Sequence, residues 1–486
     1  MIINNKMDSI EKKYSITIDL GTTNIKIHIF DVNSARIINS VKYKTPKYND
    51  GFGECFDFTK IYNLIVEEIN LYLKNYEFVD TIIISSVGEA GALVNHNGDI
   101  VTPVIAWYDA RSKYVIDKLT ENDKKLIYDI TGLPTHTNYS ISKIKWCYDN
   151  LKLPTEKLVW LNIPDLLVYK FTKVFATEFS MASRTMAFDL KSRKFSDKIL
   201  NLFDLKDKIE FPHVYKSGEH IGYLNADEII KVSNKISVRI AGHDHMAGAL
   251  SVNLKQNDLL DSTGTTEGLL YISNDLNIND ETYRSSLSNG IFTNSSMYSL
   301  FSSIPSGGNV FQWYMKLFNI SYNDFIRDCG LAKERYDERG IKDLVLTVPH
   351  LNGSGAPFKK TESKALMYGI TLMTDRIDIL LSLIVGLCIE VKLLLNEFDI
   401  NKINKIFVIG PAIENPAWMQ IKADILQKKL YTINLREAVS IGTFVSVYGA
   451  TNLIGYDRIY LPREIDGINE IVNRYQELCI YKRKYV

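Results

Sequence analysis

Residues 19 to 23 read Asp-Leu-Gly-Thr-Thr and lie between two runs of alternating apolar residues. This pattern predicts two strands joined by a hairpin turn. In such a turn, the backbone N–H groups and hydroxyls of Gly21, Thr22 and Thr23 form a concave surface that suits phosphate oxygens. A carboxylate beside clustered phosphates holds Mg2+, largely through water, so Asp19 is the candidate metal ligand. The alternative is that Asp19 only caps the turn.

A second Gly-Thr-Thr sequence, Gly264 to Thr266, also lies between two apolar runs. Gly21 and Gly264 are 243 residues apart, which is half of the 486-residue length. A single turn of this kind has an alternative interpretation as an ordinary hairpin turn, but two at matching positions predict a protein of two related halves. The sequence contains neither a Walker-type loop nor a GxGxxG motif after a strand. We therefore expect both turns to bind phosphate, the second through Gly264, Thr265 and Thr266.

Short β-branched runs alternate with longer segments of helical period, which predicts an α/β fold with helices packed on mixed sheets. A chain of 486 residues exceeds the usual size of one core. We therefore expect two domains, 1–246 and 247–486, with the boundary between Gly242 and Leu250.

The charge balance restricts the class of partner. Fifty-seven basic and 57 acidic side chains leave no net charge to attract nucleic acid or an anionic membrane, which favours a small-molecule ligand. The five cysteines are scattered and lack CxxC spacing, so we expect a reducing, cytoplasmic environment. The apolar runs are interrupted or flanked by charge, and we expect no targeting segment and no membrane span.

Several separated segments, from about Tyr14 to Ala450, together resemble the FGGY carbohydrate kinases of the actin and hexokinase superfamily. The two phosphate motifs of that family are similar to IDLGTTNIK and STGTTE. Further resemblance lies in GDIVTPVIAWYDARS, TGLPTHTNYSISKIKWCYDN, GHDHMAGAL and ALMYGITLMTDRIDILLSLIVG. The resemblance implies two ribonuclease-H-like (actin-like ATPase) domains flanking a central cleft, with ATP and Mg2+ required. Dimerisation is common in such kinases, and a homodimer is one option here.

The resemblance also implies roles for individual residues. Asp244 becomes the general base that accepts a proton from the attacking hydroxyl, which suits the demands of phosphoryl transfer. Alternatively, Asp244 is only a turn residue. It could also form part of a metal site with His243 and His245, but no further ligand of suitable spacing is evident. The residues implied to bind the nucleotide are Gly21, Thr22, Thr23, Gly264, Thr265, Thr266, Gly410, Ala412 and Asn415.

For the sugar, the resemblance points to Trp107, Asp109, Arg111 and Glu89. Trp107 alternatively belongs to the core, and Asp109 with Arg111 alternatively forms a local ion pair. Because two unpaired carboxylates repel in a closed cleft, Glu89 predicts an uncharged, hydroxyl-rich substrate. A ketopentose such as xylulose or ribulose is the first candidate, followed by a ketohexose, a polyol or gluconate.

The chain departs from the family pattern in the adenosine segment and in the second signature. Gly410 is retained, but Pro411 and Ala412 stand where the family has glycines, which adds bulk near the adenine position. Val385 occupies a position that is usually acidic. These departures keep open a degenerate, non-catalytic sugar-binding protein, and a chaperone-like or actin-like ATPase is a third reading. Retention of both turns and of Asp244 favours the kinase.

Overall fold

The computed structural model describes residues 12–293, 296–341, 344–357, 359–398, 400–449 and 455–483. Within these ranges the chain forms 25 strands and 15 α-helices. Sheets of parallel and antiparallel strands lie in both halves of the chain, with helices between the strands along the sequence. The α/β fold predicted from the alternating patterns is therefore confirmed.

The strands of the N-terminal lobe are short and rich in apolar residues. The main sheet has the order β15-β16-β6-β1-β2-β3, and a second six-stranded sheet has the order β13-β9-β7-β8-β5-β4. The strands are β1 (Tyr14–Leu20), β2 (Asn24–Asp31), β3 (Arg36–Lys44), β4 (Lys47–Asn49), β5 (Glu54–Phe56), β6 (Val79–Ser86), β7 (Gly91–Val94), β8 (Val104–Ile105), β9 (Leu158–Asn162), β10 (Ala176–Glu178), β11 (Phe188–Asp189), β12 (Lys194–Phe195), β13 (Ile209–Glu210), β14 (His213–Tyr215), β15 (His220–Tyr223) and β16 (Ser237–His243).

The helices of this lobe follow amphipathic patterns. In α1 the buried residues Ile61, Ile65, Ile69 and Leu73 recur every four positions, so they form one apolar stripe that packs in the lobe core. The helices are α1 (Phe58–Asn75), α2 (Lys113–Asp117), α3 (Glu121–Thr131), α4 (Ser140–Asn150), α5 (Ile163–Thr172), α6 (Phe179–Ala182), α7 (Asp197–Leu202) and α8 (Asp244–Leu250).

The C-terminal lobe has one seven-stranded sheet with the order β19-β20-β18-β17-β23-β24-β25. Its strands, with the separate β21–β22 pair, are β17 (Leu259–Thr263), β18 (Glu267–Ser273), β19 (Ser288–Ile291), β20 (Tyr298–Ile304), β21 (Leu346–Val348), β22 (Leu366–Tyr368), β23 (Ile406–Ile409), β24 (Leu430–Thr432) and β25 (Arg458–Tyr460). Its helices are α9 (Asp280–Arg284), α10 (Gly308–Phe318), α11 (Tyr322–Arg339), α12 (Arg376–Glu397), α13 (Pro416–Leu426), α14 (Ala438–Tyr448) and α15 (Ile468–Arg483).

Parallel pairing brings the carboxyl ends of three strands to one edge of the N-terminal sheet. Leu20 of β1 lies opposite Ser86 of β6, and Ser86 lies opposite His243 of β16. The segments that leave these strands therefore begin side by side. In the C-terminal sheet, β17 and β23 pair in parallel, with Ser262 opposite Ile409. The second Gly-Thr-Thr turn and Gly410 consequently share an edge of that sheet.

Helix α12 is the longest element and lies inside the C-terminal core. Sixteen of its 22 residues are buried, among them Val385, whose side chain is fully buried within an apolar cluster. The valine at this usually acidic position therefore packs in the core. Within the described ranges, no helix combines the length and apolar character that a membrane span needs.

The two lobes meet where α14 packs against α8 and β1. A Cβ atom on Gly442 of α14 would lie 1.6 Å from the Ala247 carbonyl oxygen, so only glycine permits this approach. Phe444 stacks on Phe30 with 4.6 Å between ring centroids. Lys26 of β2 forms a 2.8 Å ion pair with Glu437, just before α14. This contact fixes the first lobe against the end of the second.

Candidate active site

Asp19 lies at the end of β1 and is 7% exposed. Its backbone position pairs with Lys26 of β2, Leu20 pairs with Ile25, and the turn then begins at Gly21. Burial and then the negative charge of Asp244 together raise the pKa of Asp19 to about 7, although Lys26 lowers it. The structure therefore brings together two carboxylates that are 225 positions apart in the sequence.

The first Gly-Thr-Thr turn is a tight hairpin. The Gly21 amide donates a 3.0 Å hydrogen bond to the Asn24 carbonyl, and a Cβ atom on Gly21 would lie 2.7 Å from that oxygen. Thr22 is partly exposed and Thr23 is exposed. The Trp107 indole N–H donates a 2.8 Å hydrogen bond to the Thr22 hydroxyl. Trp107 is therefore held beside the turn, and its ring also packs against the apolar core of the lobe.

Asp244 is the first residue of α8, directly after β16. Its Oδ1 accepts a 2.7 Å hydrogen bond from the His245 amide, and the same amide donates to Nδ1 of His243 over 3.2 Å. Burial raises the pKa of Asp244 to about 7; the amide bond and Arg184 lower it, while Glu89 raises it. The side chain keeps 19% of its surface exposed. A carboxylate with this pKa and this access suits proton transfer near neutral pH.

Glu89 lies in the loop between β6 and β7, with a left-handed φ of 63°. A non-glycine residue in this conformation is strained, and such strain is concentrated at functional sites. Its Oε1 accepts hydrogen bonds from Arg184 Nε at 2.7 Å and Nη2 at 2.6 Å. Oε2 lies 4.0 Å from His243 Nε2. The prediction of an uncharged substrate depends on repulsion between an unpaired Glu89 and a substrate carboxylate. Because Arg184 neutralises Glu89, that repulsion does not arise in this structure.

The second Gly-Thr-Thr turn packs on three glycines. The Gly308 amide at the start of α10 donates a 2.9 Å hydrogen bond to the Gly264 carbonyl. A Cβ atom on Gly307 or Gly308 would approach the turn backbone to 2.9 or 2.7 Å. Gly410 has a φ of 99°, and a Cβ atom there would lie 2.1 Å from the Thr263 carbonyl oxygen. Glycine is thus required where these backbones meet.

A cavity of about 480 Å³ opens beside this second turn, on the C-terminal lobe. Gly264 and Thr265 form its polar end; Thr266 is exposed beside them, and its carbonyl accepts a hydrogen bond from the Gly264 amide. Asn415 lines the cavity and caps α13, since its Oδ1 accepts from the Trp418 amide over 3.1 Å. The remaining walls come mainly from apolar and aromatic side chains, namely Phe311, Met315, Tyr322, Phe325, Ile326, Pro411, Ala412 and Trp418.

The bulk that distinguishes Pro411 and Ala412 from glycine therefore faces this cavity without closing it. A slot with aromatic walls and a polar, glycine-rich end suits a nucleotide, with its base among the apolar groups and its phosphates toward the turn. The short 3-10 helix Pro411–Glu414, which begins after Gly410, carries both residues.

Asp109 and Arg111 belong to a closed network. Arg111 donates to Asp109 Oδ1 at 2.9 Å and to Asp50 Oδ2 at 2.7 Å, and its guanidinium stacks 4.8 Å from the Trp146 ring centroid. Asp109 also accepts from the Glu54 amide at 2.7 Å. Both side chains are buried. The structure thus gives these two residues the local ion pair that was the alternative to direct sugar contact, and their role in substrate binding stays a prediction.

The donor set near Asp19 fits a magnesium ion. Mg2+ keeps several waters and takes one or two carboxylates beside substrate phosphates. Asp19 and Asp244 supply two carboxylates at one edge of the N-terminal sheet, and the negative charge of Asp244 raises the pKa of Asp19. Within the described ranges, no group of three or more His, Cys, Asp or Glu is arranged to hold a metal ion. A phosphate-bound cation next to Asp19 would compensate this negative charge.

Two residues near these sites were not predicted from the sequence. Arg184 follows a short helix and lacks any motif, so its pairing with Glu89, 95 residues away, depends on the fold. Lys422 of α13 is fully buried and pairs with Asp261 and Glu267, which flank the second turn. The sequence does place a carboxylate on each side of that turn, and a buried carboxylate needs a cationic partner. This pattern could have predicted a buried lysine or arginine nearby.

Comparisons with known proteins cover both lobes. Residues 14–251 match the model of the N-terminal domain, and residues 259–446 that of the C-terminal domain, of the FGGY family of carbohydrate kinases. The glycerol kinase of Saccharolobus islandicus is 27% identical over 454 residues, covering 90% of this chain and 88% of that protein.

Solved structures share the fold. Plasmodium falciparum glycerol kinase with ADP superimposes with a TM-score of 0.83 at 19% identity, over 98% of this chain and 99% of that one. Rhodospirillum rubrum xylulose kinase gives 0.84 at 15% identity, over 97% and 99%. These matches confirm the two-domain actin-like ATPase fold.

Proposed function

The chain belongs to the FGGY family of carbohydrate kinases and is therefore a phosphotransferase with an alcohol group as acceptor, and we propose that Asp244 is the general base of this transfer. The observation that carries the proposal is the position of Asp244 beside Asp19 and Glu89. Its carboxylate is partly exposed, hydrogen-bonded at one oxygen, and has a pKa of about 7. The other oxygen is available to receive a proton.

In the proposed step, the acceptor hydroxyl transfers its proton to Asp244 as its oxygen attacks the γ-phosphorus of ATP. The bond between the γ-phosphorus and the β–γ bridging oxygen breaks, and ADP leaves with that oxygen's electron pair. The phosphorylated acceptor and ADP are the products, and Asp244 later releases its proton to water. Because the transition state is loose, the protein contributes mainly alignment and charge stabilisation.

We assign the phosphates to the two turns and the adenosine to the cavity of the C-terminal lobe. Gly21, Thr22 and Thr23 supply N–H and hydroxyl donors from one lobe, and Gly264 and Thr265 from the other. Ala412 and Asn415 line the adenosine region, and Gly410 shapes it. Asp19 would hold Mg2+, which when bound neutralises phosphate charge. We place the domain boundary near residue 246, so that closure of the two lobes completes the site and excludes water.

For the acceptor, Glu89 and Trp107 are the proposed direct contacts. Arg184 orients the Glu89 carboxylate, and the Thr22 hydroxyl orients the Trp107 ring. Asp109 and Arg111 are proposed to stabilise the loop that carries Trp107. A ketopentose remains a candidate beside glycerol, other polyols, ketohexoses and aldonates, since the relatives named above act on glycerol and xylulose.

The test is ADP release from ATP and Mg2+ over this panel of acceptors, coupled to a spectroscopic readout. We expect acceptor-dependent turnover with at least one compound and little ADP without acceptor. A degenerate binding protein is the second candidate, because Pro411 and Ala412 add bulk to the wall of the nucleotide cavity. Tight acceptor binding without any turnover would identify that protein. Hydrolysis of ATP that ignores every acceptor would contradict the kinase assignment.

A further inference from the structure

A second cavity, of about 260 Å³, lies between the two lobes. The N-terminal lobe forms one wall with Pro134, Thr135, His136, Asn138, Tyr139 and Arg184. The C-terminal lobe forms the other wall with Ser286, Ser288, Phe301, Ser302, Ser303, Pro305, Gly355, Ala356 and Lys359. Arg184 also bonds Glu89 and lies close enough to Asp244 to lower its pKa. The cavity therefore borders the proposed acceptor site at its Arg184 end.

The size of this cavity exceeds the need of a three-carbon acceptor. A single buried water needs about 10–15 Å³ of cavity volume on the same measure, so about 260 Å³ leaves room for a longer chain. A five- or six-carbon chain that places one hydroxyl at Asp244 would extend past Arg184 into this space. The walls offer hydroxyl and amide partners for such a chain, namely Thr135, Asn138, Ser286, Ser288, Ser302 and Ser303.

At the end near the catalytic residues, the charges cancel. The Arg184 guanidinium bonds Glu89 Oε1 through two nitrogens and lies 5.1 Å from the Tyr139 ring centroid. The Tyr139 hydroxyl lies 3.1 Å from the Ser288 hydroxyl, so this wall is joined across the lobes. An acceptor meets a neutral, hydrogen-bonding surface here.

At the other end, the charge is positive. Lys359 and His136 both line this part of the cavity. Burial, and next the charge of Lys359, lower the pKa of His136 to about 4. His136 is therefore neutral and able to donate one hydrogen bond at neutral pH. Lys143 lies nearby, but its Nζ donates to the Thr137 and Asn138 carbonyls. Among the described residues, Lys359 has no carboxylate partner, and the lining contributes no carboxylate.

We infer that the acceptor is longer than glycerol and carries a carboxylate at the end remote from the phosphorylated hydroxyl, held by Lys359 and His136. This inference rests on the proposed function and names the class of its substrate, an aldonate of five or six carbons. One lysine with one neutral donor suits a monoanionic carboxylate better than a phosphate dianion, which usually recruits arginine or several cations. The paired state of Glu89 removes the repulsion that would oppose an acidic substrate.

Matched acceptors test the inference. ADP release is measured with ATP and Mg2+ for aldonates and for the alditols of the same chain length and configuration. A series of sugars with a terminal phosphate tests whether the cationic end prefers a phosphate group to a carboxylate. We expect kcat/KM to be about ten-fold or more higher for an aldonate than for its alditol, from one charge-assisted hydrogen bond. An alditol or a sugar phosphate that equals or exceeds the aldonate would overturn the inference and leave the kinase intact. Absence of turnover with every compound would instead contradict the proposed function.

Lys359→Gln tests the assigned cation. We expect the ratio of kcat/KM for the aldonate to that for the alditol to fall about ten-fold. The fall should come from a higher KM for the aldonate, with its kcat unchanged. Lys360→Gln is the matched control, because this substitution removes the same charge one residue away, at a side chain that does not line this cavity. An unchanged preference in Lys359→Gln would contradict the assignment. So would an equal loss of kcat for both acceptors, which indicates a structural effect.

Discussion

Lys422 Nζ donates a 2.7 Å hydrogen bond to Asp261 Oδ2, so helix α13 beside the nucleotide cavity is tied to the strand that enters the second Gly-Thr-Thr turn. Glu267, on the strand that leaves the turn, also accepts from Lys422. All three side chains are fully buried. The Lys422 charge lowers the pKa of Glu267, while burial and Asp261 raise it more strongly. The turn is therefore held at both ends by one cation.

Replacement of this lysine is expected to destabilise the lobe. Lys422→Met leaves two buried carboxyl groups without their cation, and breaking a buried pair in this way costs about 3–5 kcal/mol. Urea unfolding measures this cost, and calorimetry with ADP measures the accompanying loss of affinity. The triple variant with Asp261→Asn and Glu267→Gln removes the unpaired charges and should recover much of the stability. Wild-type stability in Lys422→Met would show that the network contributes little.

Gly410 provides a test of the nucleotide site. Gly410→Ala forces a side chain into a φ of 99° and places its Cβ 2.1 Å from the Thr263 carbonyl, so the segment that carries Ala412 must move. The backbone of Gly410, with a ψ of −179°, lies in a region essentially restricted to glycine, and such strain costs about 1–3 kcal/mol for a residue with a Cβ. We expect ADP to bind about ten-fold more weakly, or worse. Gly330→Ala is the control, because Gly330 lies in α11 with no neighbouring atom within 4 Å of the added methyl group. Equal ADP affinity in both variants would argue against the assigned site.

The pH dependence of the reaction follows from Asp244. Its pKa is raised to about 7, so the carboxyl group is increasingly protonated below that pH and cannot accept the proton of the acceptor. We expect kcat/KM for the acceptor to fall about ten-fold per pH unit on the acid side of this pKa. Bound Mg2+ near Asp19 would shift the acid side of this pH profile to lower pH, because a cation favours ionised carboxylates. A profile that stays flat from pH 5 to 8 would contradict a carboxylate base with a raised pKa.

The sequence was informative where chemistry and local structure coincide. Both Gly-Thr-Thr turns form the predicted hairpins, since alternating apolar strands and a glycine turn are local properties. Asp19 and Asp244 were predicted from short motifs, and parallel pairing of their strands with β6 brings them to one sheet edge. The α/β fold followed from the alternation of strand and helix patterns.

Long-range pairing explains what was not predicted. Arg184 meets Glu89 only through the fold, and the neutral pair changes the expected preference for an uncharged acceptor. Lys422 would be expected on a solvent-exposed helix face, but the carboxylates of two strands compensate its burial. Asp109 and Arg111 are two positions apart in the sequence, and Asp50, 61 positions before Arg111, joins them in a network.

The most direct measurement of the central claim is the single-turnover rate of Asp244→Asn, with MgATP and the preferred acceptor of the wild-type protein. Asparagine keeps the shape and the hydrogen bond to the His245 amide but cannot take a proton, so acceptor binding should be nearly unchanged. We predict that the rate falls by about 10²–10⁴-fold, which is the usual contribution of a positioned base. A rate equal to that of the wild-type protein would remove Asp244 from its proposed role.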